Sequence, residues 1–371
     1  MNDSFVEEFA GEPVNKVRTT YDGDFEVEQL KMRGSVGSSL SGVKNFLVKV
    51  FLPQGYPSSV SRDYTEYQTW DTLQAFASSM TAAIATEAVL RGAGVGKQDA
   101  SAIAAAMAWL LKDGVGMMGR IMFAWVKGVN LDADCKFWRL LADVLNDFSF
   151  SLDLLAPVFP ECFTIIVCLS SLSRSIVGVA GAATRTTVIQ HQAIDNNVGD
   201  VAAKDGSQET LVNLSALLLN LWLLPHLSGH TSAVWILYTI FTLIHLLSNY
   251  RAVRSLHFRT FNRTLLRIVV RKYITDGYAV DVQEANDLEP LIPKDNGERF
   301  YGCPVSAVIS HQRIYELTYS DAISILAVDK KSNRAFIAVA HGCKPYDEIM
   351  IAFRVEFSQI AGRIPTSGEV E

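Results

Sequence analysis

The feature that most constrains the fold of this chain is a run of forty-one residues, Thr210 to Tyr250, without Asp, Glu, Lys or Arg. Charge is also sparse before this run. Leu152 to Tyr250 contains nine charged residues in 99 positions, whereas charged residues make up 19% of the whole chain. A water-soluble domain normally spreads charged side chains over its surface. The pattern therefore predicts either contact with lipid or an unusually large buried core.

The uncharged run divides at PHLSGH into two arms, Thr210–Leu224 and Thr231–Tyr250. A helix needs about 20 apolar residues to cross a hydrocarbon core, with a lower limit of about 17. The second arm meets this limit, and the first is marginal unless Gln208 and Glu209 stay at the interface. We interpret the arms as a helical hairpin in the bilayer, and a buried hairpin of a soluble protein is the alternative.

A basic stretch follows the uncharged run directly. Arg251 to Lys272 contains seven Lys and Arg residues and no acidic residue. Basic residues beside a membrane helix favour the cytoplasmic side and attract anionic lipid headgroups, although a solvated basic helix face is the alternative. The net charge of −6 argues against a general nucleic-acid binder. We therefore expect a membrane protein whose C-terminal domain is cytosolic and which has no nucleic-acid partner.

The chain divides into three predicted segments. Residues 1–43 form a polar lead-in with a hairpin around Asp22-Gly23 and a flexible linker, GSVGSSLSG. Residues 44–272 form a helical membrane region, and residues 273–371 form a small α+β cytosolic domain. The predicted fold class is mainly α, with a polytopic helical membrane region followed by a small α+β C-terminal domain.

Helical spacing and chain breakers locate the individual elements. Helices are predicted over Asp63–Leu90, Asp134–Leu155 and Cys162–Ala183, after an ordered loop at residues 51–64. Another helix, from about Gln98, is predicted to be interrupted by KDGVGMMG and to resume as RIMFAWV. In the C-terminal domain, ISILAVD and RAFIAVA predict a β-hairpin, and PYDEIMIAFRVEF is predicted as a helix or a third strand.

The sequence lacks the motifs of common enzymes and metal sites. GAGVGK fails the P-loop spacing, because Arg91 stands where glycine is required and no Ser or Thr follows Lys97. The five cysteines form no CxxC pair, the seven histidines form no HExxH motif, and no GxSxG elbow occurs. We expect a non-enzymatic protein without a catalytic metal, and the sequence identifies no cofactor.

The N-terminus does not resemble a targeting segment. Asp3, Glu7 and Glu8 occupy the place of a basic n-region, and no apolar h-region follows. The same acidic residues disfavour a mitochondrial or chloroplast transit peptide. We therefore expect any membrane insertion to use internal segments.

Two polar segments interrupt the apolar pattern. DYTEYQTWDTLQ (63–74) places polar side chains on two neighbouring faces of a predicted helix. In the segment 184–210, Asp205 or Ser207 is either a cap of the following helix or part of a pocket beside a membrane span. Both interpretations stay open. The candidate polar pocket consists of Asp63, Tyr67, Gln68, Asp71, Gln74, Arg185, His191, Gln192, Asp200, Lys204, Asp205, Gln208 and Glu209.

The tripeptide KDG occurs twice, at Lys112–Gly114 and at Lys204–Gly206, each time between apolar stretches. An internal repeat of the kind found in many transporters would produce such a pattern. Three matching residues are few, and coincidence is the favoured explanation.

Several long and unusual strings lie between about Val43 and Arg271: FLPQGYPSSVSRDYTEYQTWD, LKDGVGMMGRIMFAW, KFWRLLADVLND, VGVAGAATRTTVIQHQA and AKDGSQETLVNL. Together these strings resemble the root UV-B-sensitive (RUS) protein family. The resemblance implies a membrane-associated protein without an established enzymatic activity and supplies no catalytic residues. It implies links to root UV-B responses, early development, auxin transport and vitamin B6 balance, as in plant relatives.

The same resemblance guides the expected partners and role. The lipid bilayer is the expected partner, with another RUS-family protein and a small-molecule ligand as further candidates. Some relatives are plastid proteins, but this N-terminus lacks a plastid-type transit peptide. A transporter-like or scaffold role is the leading hypothesis, and a peripheral or soluble binding protein is the alternative.

Overall fold

The computed structural model describes residues 4–9, 12–19, 25–29, 46–94, 102–227, 229–292, 297–312, 317–320, 323–329, 333–366 and 369. The chain groups into two compact units. The first unit comprises Met1–Arg91 and Thr186–Ser248, and the second comprises Gly92–Arg185 and Asn249–Glu371. The predicted boundaries at residues 43 and 272 stay predictions.

Helices dominate the described residues, after a short helical segment at 46–51. The helices are α1 (Tyr64–Gly92), α2 (Ala102–Lys127), α3 (Cys135–Leu155), α4 (Phe163–Gln192), α5 (Val198–Leu227), α6 (Thr231–Ser255), α7 (Arg263–Asp276), α8 (Val282–Leu288), α9 (Val305–Gln312) and α10 (Pro345–Ala361). The mainly helical character predicted from the sequence is thereby confirmed.

Three strands near the N-terminus form an antiparallel sheet in the order β1 (Ser4–Phe9), β2 (Glu12–Thr19) and β3 (Phe25–Gln29). β2 and β3 pair in antiparallel register, with Thr19 opposite Phe25. This pairing confirms the predicted hairpin and adds β1 to it. The turn at Asp22-Gly23 and the predicted linker at 34–42 lie outside the described residues.

The predicted interruption of the second helix at KDGVGMMG is wrong, because α2 runs without a break through this string. Glycine inside a helix costs about 1 kcal/mol relative to alanine. Here the glycines let α2 approach α4: a Cβ on Gly116 would lie 2.6 Å from Ser171 Oγ, and one on Gly119 would lie 2.7 Å from Leu172 Cδ1 and against Ser175 Oγ. Small residues at helix crossings are typical of membrane helices.

In the first unit, α5 and α6 expose many large apolar side chains and bury several polar ones. Exposed side chains of α5 and α6 are Leu211, Leu214, Leu217, Leu218, Leu221, Trp222, Ile236, Ile240, Leu243 and Leu247. The buried side chains of the same helices include Asp205, Asn220 and His245. A helix on the surface of a soluble protein shows the reverse distribution.

Length and composition would allow four of the described helices to cross a membrane. They are Tyr64–Gly92, Pro160–Gln192, Val198–Leu227 and Thr231–Ser255. The last two contain the predicted arms. The end of α5 is later than predicted, because the helix continues through Pro225 to Leu227.

The C-terminal residues of the second unit form a sheet in the order β4 (Glu298–Tyr301), β7 (Arg334–Val339), β6 (Ser324–Asp329) and β5 (Leu317–Ser320). β6 and β7 are antiparallel, which confirms the predicted hairpin. PYDEIMIAFRVEF is a helix rather than a third strand, because it lies within α10. Ile351 and Val355 of α10 pack against Leu326, Val328 and Ile337 of the sheet.

Glu356, fully buried on α10, joins three elements of this domain. Its carboxylate accepts from Arg299 Nε of β4 at 2.9 Å and from Arg267 Nη1 of α7 at 3.3 Å, and Arg263 Nε lies 3.5 Å away. Partial burial, and after it the negative charge of Glu356, raise the pKa of Tyr301 to about 12. A buried charge of this kind is stable only while its partners remain.

Gly119→Leu should destabilise the second unit, because the new side chain would collide with Leu172 and Ser175. Overpacking of this kind costs about 1–3 kcal/mol. Gly114→Ala in the same helix is the control, since an added Cβ there has nothing within 4 Å among the described residues. Thermal unfolding in detergent should show a lower midpoint for Gly119→Leu only. Equal midpoints would contradict the close approach of α2 and α4.

Glu356→Ala should loosen the C-terminal domain, because three guanidinium groups lose their buried counter-charge. The expected loss of local stability is about 3–5 kcal/mol. Hydrogen exchange of the β6 and β7 amides, followed by mass spectrometry, measures this loss directly. Glu348→Ala removes an exposed carboxylate from the same helix and should leave exchange unchanged. Wild-type protection in Glu356→Ala would refute the structural role of the cluster.

Candidate functional site

The loop before α1 is ordered by contacts with the turn between α4 and α5. The main-chain N–H of Ser61 donates to the carbonyl of Gln192 at 2.9 Å, and Asn197 Nδ2 donates to the carbonyl of Ser59 at 3.2 Å. Asn196 occupies the left-handed region with φ 54°, which asparagine tolerates better than most residues. These contacts bring the start of α1 beside the start of α5.

The two predicted polar segments meet at an Asp–His pair. His191 Nε2 lies 2.8 Å from Asp63 Oδ2, and the two side chains are 7% and 6% exposed. Ser61 Oγ donates to the other carboxylate oxygen of Asp63. The pair joins residues 128 positions apart in the sequence. The sequence predicted both members of the pair but could not show that they touch.

A second buried contact links α1 to α5. Gln68 Nε2 donates to Asp205 Oδ1 at 3.1 Å, and both residues are buried. The buried Tyr64 hydroxyl lies beside Gln68, Gln208 and Asp205. Hydrogen bonding to Gln68 offsets part of the cost of placing the Asp205 carboxylate away from water.

The interpretation of Asp205 or Ser207 as a helix cap is wrong. α5 begins at Val198, so both residues lie inside the helix. Ser207 Oγ donates to the carbonyl of Ala203 at 2.9 Å, one turn earlier. The chain turns at 193–197 instead, where its main chain pairs with the loop before α1. The ligand-pocket interpretation of these polar residues stays a prediction.

Two other side chains of the predicted pocket bind main-chain oxygens. Lys204 Nζ donates to the carbonyl of Lys49 at 2.6 Å, and Gln208 Nε2 donates to the carbonyl of Phe51 at 2.6 Å. Carbonyl groups near the end of the helical segment 46–51 need such donors. Lys204 and Gln208 therefore anchor the loop that carries Asp63.

The remaining predicted residues are more scattered. Asp200 accepts from the main-chain N–H of Gln54 at 2.6 Å, and Tyr67 donates to Asp71 on α1 at 3.3 Å. Gln74 and Gln192 are buried, Glu209 is half-buried on α5, and Arg185 belongs to the second unit. The structure thus brings Asp63, Gln68, His191, Gln192, Lys204, Asp205 and Gln208 together around the start of α1.

A second polar group, which the sequence patterns did not predict, lies in the second unit. Arg174 of α4 pairs with Asp153 of α3, which is 1% exposed, and donates from Nε to Ser149 Oγ at 3.1 Å. Next to this pair, a cavity of about 280 Å³ is lined by Lys112, Asp113, Gly116, Arg120, Ser171, Arg174, Ser175 and Gly178. Two features of the sequence indicate this polar group: the first KDG string, at Lys112–Gly114, and Arg174, which lies inside an apolar stretch.

A larger cavity, of about 610 Å³, lies in the second unit beside the Glu356 cluster. Its lining includes Arg259, Phe261, Arg263, Tyr301 and Ile349. Burial, and then the charge of Arg299, lower the pKa of Arg263. Within the described part of the chain, His, Cys, Asp and Glu form no group that would hold a metal ion.

Comparison with known proteins identifies the helical region. The family described as the vitamin B6 photo-protection and homoeostasis domain matches residues 37–277. Protein root UVB sensitive 3 of Arabidopsis thaliana is 39% identical over 247 residues, which are 67% of this chain and 56% of that protein. RUS family member 1 of Dictyostelium discoideum is 41% identical over 256 residues, which are 68% of this chain and 49% of that protein.

The chain spans about half the length of these two relatives. No solved structure matches the chain. The matched residues include both polar segments of the first unit and the α2–α4 cavity of the second. The sequence and its comparisons agree that the chain belongs to the root UVB sensitive (RUS) family and carries that family's vitamin B6 photo-protection and homoeostasis domain.

Proposed function

We propose that this chain is an integral membrane protein without catalytic activity that acts in vitamin B6 homeostasis as a transporter-like or scaffold protein. The description of the matched family supports the link to vitamin B6. The catalytic and metal-binding motifs missing from the sequence support a non-enzymatic role. The lipid bilayer is the main proposed partner, with a second RUS-family protein and a small-molecule ligand beside it.

The exposed apolar and buried polar side chains of α5 and α6 carry this proposal. Leu243, near the middle of α6, is 62% exposed, whereas His245 on the same helix is 1% exposed. On α5, Leu221 is 65% exposed and Asn220 is 4% exposed. Water would oppose this arrangement, but hydrocarbon favours it, because hydrocarbon solvates leucine and excludes amide and imidazole groups.

The proposed topology follows from the charges beside α6. In a membrane hairpin of α5 and α6, the start of α5 and the end of α6 lie on the same face. Basic residues follow α6 and favour the cytosolic side, so the C-terminal domain would be cytosolic. The polar group around Asp63 and Asp205 would then lie near the cytosolic face, within reach of a small polar molecule in the cytosol.

The competing hypothesis is a peripheral or soluble binding protein whose apolar helix faces are covered by a protein partner. It requires a partner surface for the exposed residues of both α5 and α6. Apolar patches on soluble proteins seldom exceed a few hundred Å² unless a partner covers them. The bilayer covers both helices without such a partner, and we therefore favour it.

The chain should remain in the membrane pellet after alkaline carbonate extraction, because its apolar helices would be held by hydrocarbon rather than by charge. Immunoblotting of the pellet and supernatant measures the partition. Release into the supernatant would support the peripheral alternative.

Leu243→Arg sharpens this test. An arginine at the centre of a membrane helix opposes insertion by about 2.5–3.5 kcal/mol, so the pelleted fraction should fall. Ser232→Arg, near the start of the same helix, is the matched control, because an arginine there reaches the interface. A soluble protein would tolerate both substitutions alike, and equal partition of the two variants would count against membrane insertion.

Substitution of a buried residue in the polar group around Asp63 and Asp205 should cause a specific loss of function. In cells lacking the endogenous protein, wild-type chain should restore the level of pyridoxal 5′-phosphate, measured by liquid chromatography. Asp205→Ala should fail, because it removes the buried carboxylate bound by Gln68. Ser207→Ala should succeed, because that hydroxyl donates to the Ala203 carbonyl of its own helix and not to a distant residue of this polar group.

In the same assay, Asp205→Asn distinguishes the effect of the Asp205 charge from that of its hydrogen bond with Gln68. An asparagine retains an oxygen that accepts from Gln68 Nε2 but carries no charge. Loss of function with Asn, at an unchanged protein level, would assign a role to the charge. Full restoration by Asp205→Ala would show that this polar group is no functional site.

A further inference from the structure

The cavity between α2 and α4 places cations at both ends of a floor of small residues. Lys112, Gly116 and Arg120 are spaced by four positions and therefore share one face of α2. Gly116 faces Ser171 Oγ, since a Cβ at this glycine would lie 2.6 Å from that oxygen. Arg174 of α4 completes the set of cations. Gly116 and Ser171 thus bring α2 and α4 close together and form the floor beneath the positive groups.

The charges around this cavity do not balance. Lys112, Arg120 and Arg174 line it, and the carboxylates facing them are Asp113, in the lining, and Asp153, which pairs with Arg174. With all five groups ionised, one positive charge remains. Burial raises the pKa of Asp153, and the charges of Arg174 and Lys112 act in the opposite direction. A bound anion would therefore relieve repulsion among the cations.

The size and donors of the cavity restrict the ligand. The cavity volume of about 280 Å³ is just below the range of about 300–1,000 Å³ that is typical of small-molecule pockets, so the bound group must be small. Guanidinium groups bind the oxygens of phosphate in pairs, and lysine binds them as a point charge. The Ser171 hydroxyl is buried at the floor and adds a neutral donor. This donor set suits an oxyanion better than a neutral or cationic molecule.

We propose that the α2–α4 cavity binds the phosphate group of a small molecule. Two classes of molecule carry such a group: water-soluble phosphate monoesters and phospholipids. The inference rests on the proposed function only in the choice of probe, pyridoxine 5′-phosphate. This vitamin B6 compound has no aldehyde and therefore forms no Schiff base with surface lysines.

The test is isothermal titration calorimetry of the full chain in dodecyl maltoside, a detergent without phosphate. Pyridoxine 5′-phosphate should bind, inorganic phosphate should compete, and unphosphorylated pyridoxine should not bind. Lys112→Gln and Arg120→Gln should each raise Kd about tenfold or more, as expected when a hydrogen bond to a charged group is lost. Lys127→Gln removes an exposed charge from the last turn of α2 and should bind as wild type.

A short-chain phosphatidic acid provides the second arm. If it binds and pyridoxine 5′-phosphate does not, the source is a lipid headgroup, and the same two variants should weaken its binding. The inference is overturned if no phosphate compound binds, or if Lys112→Gln and Arg120→Gln bind as wild type. Either result leaves the membrane hypothesis standing, because carbonate extraction tests that hypothesis independently.

Discussion

The structure depends on contacts among buried polar side chains of helices whose outward-facing surfaces are apolar. A carboxylate without a partner costs several kcal/mol when it leaves water, so each buried acid of these helices needs a partner. Asp63 pairs with His191, Asp205 accepts a hydrogen bond from Gln68, and Asp153 pairs with Arg174. These contacts also select which helix faces meet, because a rotation of either helix would separate the pairs.

The loop before α1 shows how this requirement positions a site. Lys204 and Gln208 bind the main chain of residues 49–51, and the turn at 192–197 binds residues 59–61. Both sets of contacts hold Asp63 at the start of α1. The candidate site is therefore assembled by main-chain anchoring as much as by its own side chains. Lys204, selected as a pocket residue from the sequence, has the anchoring role.

Periodicity predicted the elements whose patterns are local. The hairpin of β6 and β7, the helix near Asp134–Leu155 and the two long apolar helices follow from alternation or helical spacing within one segment. Two errors came from tertiary effects. α2 continues through its glycines because α4 packs against them, and α5 starts at Val198 because a distant loop fixes the preceding turn. No pattern within one segment reports such contacts.

The two KDG strings show the limit of motif similarity in this chain. Both lie inside helices next to buried polar groups, which an internal repeat would also predict. Their contacts differ, however. Lys204 binds a main-chain carbonyl and Asp205 binds Gln68, whereas Lys112 and Asp113 line a cavity with arginines. Equivalent positions of a true repeat are expected to make equivalent contacts. The same three residues therefore support two different polar environments, and the structure favours coincidence over a repeat.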